Sequence, residues 1–153
     1  MTRLEAVGPE AAVILAEIHA TAFDKPWGEA EMARSLDGPG AYAIMAVADG
    51  QALGFVIGRA MAGEAEIITI AVRPEERRQG LGRILMDAAI AAACAFDAHE
   101  MYLEAAVDND AALALYVSMG FETKGRRKHY YARGNSARVD ALVMRLALNT
   151  EPS

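Results

Sequence analysis

The sequence is poor in cysteine, in net positive charge and in long hydrophobic runs. Its single cysteine, Cys94, excludes an internal disulfide and a zinc site with several thiolate ligands. The formal net charge is −6 at pH 7, whereas a protein that binds the nucleic-acid backbone usually carries a strong positive field. No apolar run approaches the roughly 18 residues that span a membrane, and residues 1–5 lack the apolar core of a signal peptide. We therefore expect a cytoplasmic protein that binds neither nucleic acid nor membrane directly.

The histidines and the cysteine indicate no metal or thiol chemistry. His19, His99 and His129 show no spacing that is typical of a metal site, so we expect no metal. Cys94 lies in an alanine-rich stretch and is interpreted as a core residue, not as an acyl-carrying nucleophile. The 153 residues are 54% hydrophobic and 24% charged, which is typical of one globular domain. We assign that domain to residues 1–150.

The first half of the chain reads as two helices followed by three strands. Apolar residues at helical spacing predict a helix over 9–22, and a shorter one follows over 28–36. Strand-like runs at 42–48 and 52–59 flank Asp49-Gly50, which is a strong hairpin signal. The β-branched run at 66–72 predicts a strand buried on both faces, and Pro74 ends it.

The second half alternates helices and strands. A helix begins at Gly80, and its expected apolar face is Leu81, Ile84, Leu85, Ala88, Ala92 and Phe96. A strand at 101–105 precedes a helix that Asp108 or Asn109 caps and Gly120 ends. Two more strands are expected at 121–128 and 138–146. This order predicts an α/β fold with a mixed sheet.

The main chemical signal is the turn that joins the third strand to the next helix. A helix N-terminus presents unpaired N–H groups and a positive dipole end, which attract phosphate oxygens. Glycine lets the backbone approach a phosphate closely, and arginine adds charge-assisted hydrogen bonds. These features coincide in Arg77-Arg78-Gln79-Gly80-Leu81-Gly82-Arg83. We interpret this segment as an anion-binding turn in a chain whose remaining charge is mostly negative.

The turn has three other interpretations. A dinucleotide-binding fingerprint needs a third glycine, but Leu85 stands at that position. A P-loop needs a Gly-Lys-Ser/Thr ending, and the nearest match, from Gly120 to Gly125-Arg126, lacks it and follows a helix. An ordinary helix start with two glycines and solvated arginines stays open on these residues alone.

The turn and many residues outside it resemble one family. Arg77-x-x-Gly80-x-Gly82 after a strand resembles the acetyl-CoA pyrophosphate loop of the GCN5-related N-acetyltransferase (GNAT) superfamily. Over about residues 3–147, the sequence is similar to the ribosomal-protein-alanine N-acetyltransferases (the RimI type). The residues that carry it are Pro26-Trp27, the segment 64–72, Leu103-Glu104, Asn109, Ala114-Leu115-Tyr116, Gly120-Phe121, Arg127, Tyr130-Tyr131, Asp140-Ala141 and Met144.

This resemblance implies a fold and a set of roles. The fold would be a single GNAT-like α/β (α+β) domain with a mixed, mostly antiparallel central sheet and about four flanking helices. Glu104 would be the general base and Tyr116 the general acid. The cofactor, acetyl-CoA, would contact Asn109, the backbone of Ile70, Ala71 and Val72, and the turn residues Arg77, Arg78, Gln79, Gly80, Leu81, Gly82 and Arg83.

The resemblance also implies an acceptor. Tyr130, Tyr131 and the loop that contains Trp27 would line a peptide groove, and the acceptor would be the N-terminal alanine of a small-subunit ribosomal protein. One departure concerns this end of the site: the family commonly has valine then arginine after the glutamate, whereas this chain has Ala105 and Ala106. A different acceptor preference could follow from that change.

Other functions remain open at this stage. The same fold could acetylate a lysine side chain or a small amine, or, as a toxin, the amine of a charged tRNA, although a more basic protein is expected there. A non-catalytic CoA-binding regulatory module is a further alternative. The presence of both Glu104 and Tyr116 argues against it.

Overall fold

The computed structural model describes residues 1–132 and 138–148. The end of the assigned domain, residues 149–150, and part of the basic segment between 126 and 138 lie outside the described residues. The strands are β1 Arg3–Val7, β2 Ala41–Ala48, β3 Gln51–Met61, β4 Glu64–Val72, β5 Glu100–Ala106, β6 Glu122–Ala132 and β7 Arg138–Ala147. The helices are α1 Ala12–Ala22, α2 Glu29–Leu36, α3 Leu81–Ala95 and α4 Asp110–Ser118, with short 3-10 turns at Pro9–Ala11 and Pro74–Glu76.

One mixed sheet organises the described residues. Its strand order is β1-β2-β3-β4-β5-β7-β6, and only the β4–β5 pair is parallel. The predicted α/β class with a mostly antiparallel sheet is confirmed. The edge strand β1, Arg3–Val7, was not predicted, although Arg3-Leu4-Glu5-Ala6 alternates polar and apolar residues.

Two left-handed turns fix the register of the three central hairpin strands. Asp49 and Gly50 have φ of 52° and 77°, and Ala62 and Gly63 have φ of 54° and 86°. Positive φ at both central residues is the backbone of a tight hairpin turn whose twist matches its strands. The turn at Asp49-Gly50 was predicted from sequence, and the turn at Ala62-Gly63 places β4 directly beside β3.

Helices cover both faces of the sheet. On one face α1 and α2 bury Leu15, Ile18 and Met32 against Phe55 and Ile57 of β3. On the other face α3 packs on the sheet through Leu81, Leu85, Met86, Ala89 and Ala93. Of these five residues of α3, only Leu81 and Leu85 belong to its predicted apolar face.

The predicted face of α3 was rotated from the observed one. Ile84 and Phe96 are 41% and 53% exposed, not buried. Apart from Arg83 and Asp87, the helix consists almost entirely of alanine and other apolar residues, so its apolar periodicity did not fix which side packs on the sheet.

The burial of β4 also differs from the prediction. Its residues alternate, with Ala65, Ile67, Thr69 and Ala71 buried and the residues between them more exposed. The strand buried almost without interruption is β3, over residues 52–58. The more exposed side of β4 borders the cleft described next.

Candidate active site

A cleft opens where two parallel strands separate. Strands β4 and β5 pair only between residues 64–66 and 100–102, and their pairing ends there. The β3–β4 register shifts at Ile57/Gly58, which leaves Ile68 as an extra, bulged residue of β4. The resulting cavity has a volume of about 1260 Å³. Seven of the predicted site residues line it: Trp27, Ile70, Glu104, Asn109, Tyr116, Tyr130 and Tyr131.

Glu104 reaches this cleft from β5. Alternation along the strand buries Leu103 (2% exposed) in the core and turns Glu104 to the opposite side. Sequence alone predicted this alternation but not which side is open. The Glu104 side chain keeps 27% of its surface exposed, so its carboxylate is accessible from the cavity.

A cation from the neighbouring part of the sheet contacts that carboxylate. Arg127 Nη1 donates to Glu104 Oε1 at 2.7 Å. The guanidinium carbon of Arg127 lies 3.9 Å from the ring centroid of Tyr130, a cation–π arrangement. The hydrogen bond to Glu104 raises the pKa of Arg127 above its ordinary value, so the arginine stays charged.

A bulge in β6 brings these groups over β5. The β6–β7 register shifts between Arg127 and Tyr131, and His129 has a φ of 54°. The Asp140 carboxylate accepts the backbone N–H of His129 at 2.9 Å and also binds Arg126. Both contacts lower the pKa of Asp140, and the hydrogen bond from the His129 backbone N–H has the larger effect.

Tyr131, the second tyrosine of the pair, is hydrogen-bonded to β5, the strand that carries Glu104. Tyr131 donates its hydroxyl to the backbone carbonyl of Glu104 at 3.2 Å. The rings of Tyr130 and Tyr131 meet edge to face with centroids 5.2 Å apart. Both residues therefore lie next to Glu104, which places the predicted acceptor residues beside the predicted base.

Tyr116 faces the cleft from α4. It is 6% exposed and packs edge to face on Phe121. Burial, followed by the nearby Tyr131, raises the pKa of Tyr116 to about 12. Its hydroxyl is therefore protonated at neutral pH and can act as a proton donor.

Asn109 determines where α4 begins. Its side-chain oxygen accepts the backbone N–H of Ala112 at 3.2 Å, which is the N-cap contact predicted from sequence. Asn109 also lines the cleft. The cap therefore fixes α4, and with it Tyr116, against the cavity.

The loop between α1 and α2 closes one end of the cleft around a buried histidine. His19 is 2% exposed. It stacks on Phe23 at 4.1 Å and on Trp27 at 5.0 Å between ring centroids, and its Nδ1 accepts the backbone N–H of Trp27 at 3.1 Å. Burial lowers the pKa of His19 to about 4, so the ring is neutral at physiological pH.

The glycine-rich turn leads into α3 through two residues with positive φ. Gly80 is the N-cap of α3 with a φ of 79°, and Arg78 also has a positive φ of 66°. The first hydrogen bond of α3 runs from the Ile84 N–H to the Gly80 carbonyl oxygen. The backbone N–H groups of the first turn precede that bond and have no partner within the helix. A Cβ on Gly82 would lie 3.4 Å from Leu115 of α4, which places the turn beside the helix that carries Tyr116.

Not every predicted cofactor residue borders the cavity itself. Among the described residues that line it, Ile70 is present, whereas Ala71, Val72 and the turn residues 77–83 are not. The side chain of Ala71 is buried in the core. Arg77 Nε donates to the carbonyl of Val72 at 3.3 Å, and Arg83 pairs with Asp87 at 3.7 Å.

Sequence reasoning assigned no role to three residues that shape the site. Arg127 is one of three consecutive cations with Arg126 and Lys128, and sequence cannot say which of them turns inward. His19 was examined only as a metal ligand. Asp140 acts through a bulge that no periodicity predicts.

Three further features concern the residues that the structure describes. Within 1–132 and 138–148, no group of three or more His, Cys, Asp or Glu side chains is arranged to hold a metal ion. In the same ranges, no helix is long and apolar enough to cross a membrane. Cys94 is a half-buried thiol.

Comparison with known proteins gives consistent matches. Residues 12–121 match the Acetyltransferase (GNAT) family. The chain is 37% identical over 136 residues to the N-alpha-acetyltransferase RimI of Mycobacterium tuberculosis, covering 85% of this chain and 82% of that protein. It is 35% identical over 124 residues to the ribosomal protein bS18-alanine N-acetyltransferase of Escherichia coli, covering 81% and 82%.

Solved structures agree with the fold. The crystal structure of the ribosomal-protein-S18-alanine N-acetyltransferase from Escherichia coli superimposes with a TM-score of 0.91 at 29% identity, covering 100% of this chain and 97% of that one. The IAA acetyltransferase from Bacillus cereus superimposes with a TM-score of 0.81 at 18% identity, covering 97% and 100%. The second likeness concerns the fold alone.

Proposed function

Because the chain belongs to the acetyltransferase (GNAT) family, we propose that it transfers the acetyl group of acetyl-CoA to the N-terminal alanine of the small-subunit ribosomal protein bS18. The bS18 acceptor is inferred from the relatives named above. The observation that carries the chemistry is that Glu104 and Tyr116 come from separate elements and line one cleft. Ribosomal proteins are made in the cytoplasm, so the proposal includes that location.

Acetyl transfer by direct attack needs a base, an acid and a held thioester. The amine nitrogen attacks the thioester carbon, and the carbon–sulfur bond breaks as the amide forms. Glu104 takes the proton that the amine loses, directly or through one water. Tyr116 gives a proton to the departing thiolate, so the products are the N-acetyl peptide and the CoA thiol. The protonated state of Tyr116 at neutral pH suits this role.

The cofactor would lie along β4 and α3. Acetyl-CoA carries a thioester at one end and phosphates further along. The backbone of Ile70, Ala71 and Val72 would hold the acetyl and pantetheine part, and Asn109 would contact it from α4. The turn Arg77, Arg78, Gln79, Gly80, Leu81, Gly82 and Arg83 would hold the pyrophosphate through N–H groups and arginines.

The acceptor would enter at the opposite side of Glu104. Trp27, Tyr130 and Tyr131 line the cleft and would offer aromatic surfaces to the first residues of a peptide. A chain N-terminus has a pKa of about 8, so roughly a tenth is neutral amine at pH 7. A lysine, with a pKa of about 10.4, offers well under a tenth of a per cent. A single carboxylate therefore suits an α-amine better.

The test is CoA release by the purified protein with three acceptors. These are an Ala-starting peptide of bS18, the same peptide with its N-terminus blocked and a lysine free, and a small polyamine. We expect turnover only with the free N-terminus. Turnover with the blocked peptide or the polyamine instead would replace the ribosomal acceptor by a lysine or a small amine. Acetyl-CoA binding without any turnover would favour a non-catalytic CoA-binding module.

A further inference from the structure

Strand β6 makes a wide bulge opposite one residue of β7. The pairing of Arg127 with Ala141 is followed directly by the pairing of Tyr131 with Val139. Three residues of β6 therefore stand opposite Asp140 alone. The backbone of this bulge must be held by contacts outside the regular strand ladder.

The carboxylate of Asp140 holds the bulge at its centre. His129 has a φ of 54°, and a residue other than glycine keeps such a conformation only where its surroundings fix it. Asp140 Oδ1 accepts the backbone N–H of His129 at 2.9 Å, and Asp140 Oδ2 accepts Arg126 Nε at 2.5 Å. Only 17% of the Asp140 side chain is exposed, so the carboxylate is largely shielded from competing water.

The bulge brings three side chains to one side of the sheet. In a regular strand, Arg127 and Tyr131 would share a face and Tyr130 would lie on the other, because side chains alternate. All three nevertheless line the cleft. Arg127 and Tyr131 both donate hydrogen bonds to Glu104, while the Tyr130 ring lies 3.9 Å from the guanidinium carbon. The bulge is therefore what adds Tyr130 to this set.

The segments proposed for the cofactor lie away from the bulge. In the sheet, β5 and β7 separate β4 from β6, and the turn at 77–83 leads from β4 into α3. A second contact of β7 does not involve the carboxylate, since the Val107 N–H donates to the backbone carbonyl of Asp140 at 2.9 Å. A change confined to the Asp140 side chain therefore loosens the bulge and leaves β7 and the cofactor end in place.

We propose that Asp140 is a positioning residue for the acceptor: by holding the His129 backbone, it fixes the bulge that turns Tyr130 into the cleft. Asp140 is absent from the described residues that line the cleft, so it acts through the bulge and not on the substrate. The proposal rests on the proposed function, because it takes the tyrosine pair as part of the acceptor groove. Asp140 then governs the affinity for the acceptor but not for acetyl-CoA.

The experiment measures kcat, the KM for an Ala-starting peptide of bS18 and the KM for acetyl-CoA. Asp140→Ala removes both contacts of the carboxylate, whereas Asp140→Asn keeps an oxygen for the His129 N–H. Arg126→Gln is the matched control, since it removes the ion pair and leaves the carboxylate on His129. Asp140→Ala combined with His129→Gly tests rescue, because glycine adopts a positive φ without help.

Loss of the contact with His129 should appear at the acceptor alone. We expect Asp140→Ala to raise the KM for the peptide at least about tenfold, the equivalent of one hydrogen bond to a charged group. The KM for acetyl-CoA should stay within about twofold of the wild type. Asp140→Asn and Arg126→Gln should keep both constants within about threefold. The added His129→Gly should lower the peptide KM of Asp140→Ala at least about threefold.

Three outcomes would overturn the proposal. A peptide KM within about twofold of the wild type in Asp140→Ala would show that acceptor binding does not depend on this carboxylate. An equal rise of both KM values would make Asp140 a residue of general stability. A rise in Arg126→Gln as large as in Asp140→Ala would assign the effect to the ion pair.

The double variant also covers the case in which Asp140→Ala does not fold. Its glycine relieves the positive φ at position 129, and its peptide KM must then exceed that of His129→Gly alone, with no such difference for acetyl-CoA. Where Asp140→Ala folds, a double variant that recovers nothing would show that the His129 backbone is not what Asp140 holds.

The failure of the proposed function looks different. A wild type that acetylates the lysine peptide or the polyamine, and not the Ala-starting peptide, contradicts the proposed acceptor. A wild type that acetylates the Ala-starting peptide, with an unchanged peptide KM in Asp140→Ala, contradicts only the role of Asp140.

Discussion

At the residue scale, the site depends on a few contacts between neighbouring strands. Arg127 donates a hydrogen bond to the carboxylate of Glu104, and Tyr131 donates one to the backbone carbonyl of Glu104. Tyr116 comes from a different element and is set by packing on Phe121. Glu104, Arg127 and Tyr131 lie outside the buried core, whereas Tyr116 belongs to it. At Tyr116, a substitution that keeps the ring is therefore needed to separate a change in chemistry from a change in folding.

Removing the carboxylate charge of Glu104 tests the base. We expect Glu104→Gln to lower kcat by about a hundredfold or more, which is the usual contribution of general base catalysis. Acetyl-CoA affinity, measured by calorimetry, should change little, because the turn that would bind the phosphates is elsewhere. Glu122→Gln, which removes an exposed carboxylate of β6, is the control and should keep full activity. A Glu104→Gln variant with wild-type kcat would remove Glu104 from the mechanism.

Removing one oxygen from Tyr116 tests the acid. We expect Tyr116→Phe to lower kcat by roughly tenfold to a hundredfold, with nearly unchanged thermal stability, since the ring still packs on Phe121. The pKa of about 12 also predicts that activity does not fall between pH 7 and 9 through loss of this proton. Steady-state kinetics with a thiol reagent measures kcat and its dependence on pH. Undiminished turnover in Tyr116→Phe would mean that water protonates the thiolate.

At the element scale, sequence predicted the regular elements well and their irregularities poorly. The hairpin at Asp49-Gly50 and the cap at Asn109 were predicted because they depend on local backbone chemistry. The β4 bulge at Ile68 was not, because it depends on pairing with β3. Gly58 is similar: a Cβ there would lie 2.4 Å from the Tyr42 ring across the sheet, a constraint invisible in the sequence.

The turn before α3 makes a prediction about cofactor binding. We expect Gly82→Ala to fold normally, because the new Cβ meets only Leu115 at 3.4 Å, yet to raise the KM for acetyl-CoA at least about tenfold by keeping a phosphate from the backbone. Gly28→Ala, where nothing lies within 4 Å of the new Cβ, is the matched control. An unchanged KM in Gly82→Ala would place the pyrophosphate away from this turn.

At the scale of the whole molecule, the site is a product of topology. The short parallel contact between β4 and β5 joins two antiparallel parts of the sheet and leaves the cleft between them. Sequence order predicted the elements but not the length of that contact. Residues distant in sequence, such as Trp27 and Tyr130, line the same cavity, and the family resemblance rather than periodicity brought them together in advance.

The stability of the molecule should depend on pH through His19. Its pKa is about 4 in the folded protein and about 6.5 when unfolded. Between those values the unfolded chain binds more protons, so the free energy of unfolding falls as the pH drops from about 6.5 towards 4. The loss attributable to His19 is at most about 3 kcal/mol.

Chemical denaturation at pH 7 and pH 4.5 measures this loss. In His19→Gln, whose amide does not titrate in this range, the difference between the two pH values should shrink. His129→Gln, which alters an exposed histidine, should behave as the wild type. An equal pH dependence in the wild type and His19→Gln would show that other groups control acid stability.

The most direct measurement is to locate the acetyl group on an intact acceptor. The protein is incubated with acetyl-CoA and full-length bS18 that begins with its alanine, and the product is mapped by mass spectrometry, with Glu104→Gln in parallel. One acetyl group on the N-terminal α-amine, absent with Glu104→Gln, is the predicted result. Acetyl groups on lysine side chains alone, or none while a lysine peptide or polyamine is acetylated, would contradict the assignment of this site to a chain N-terminus.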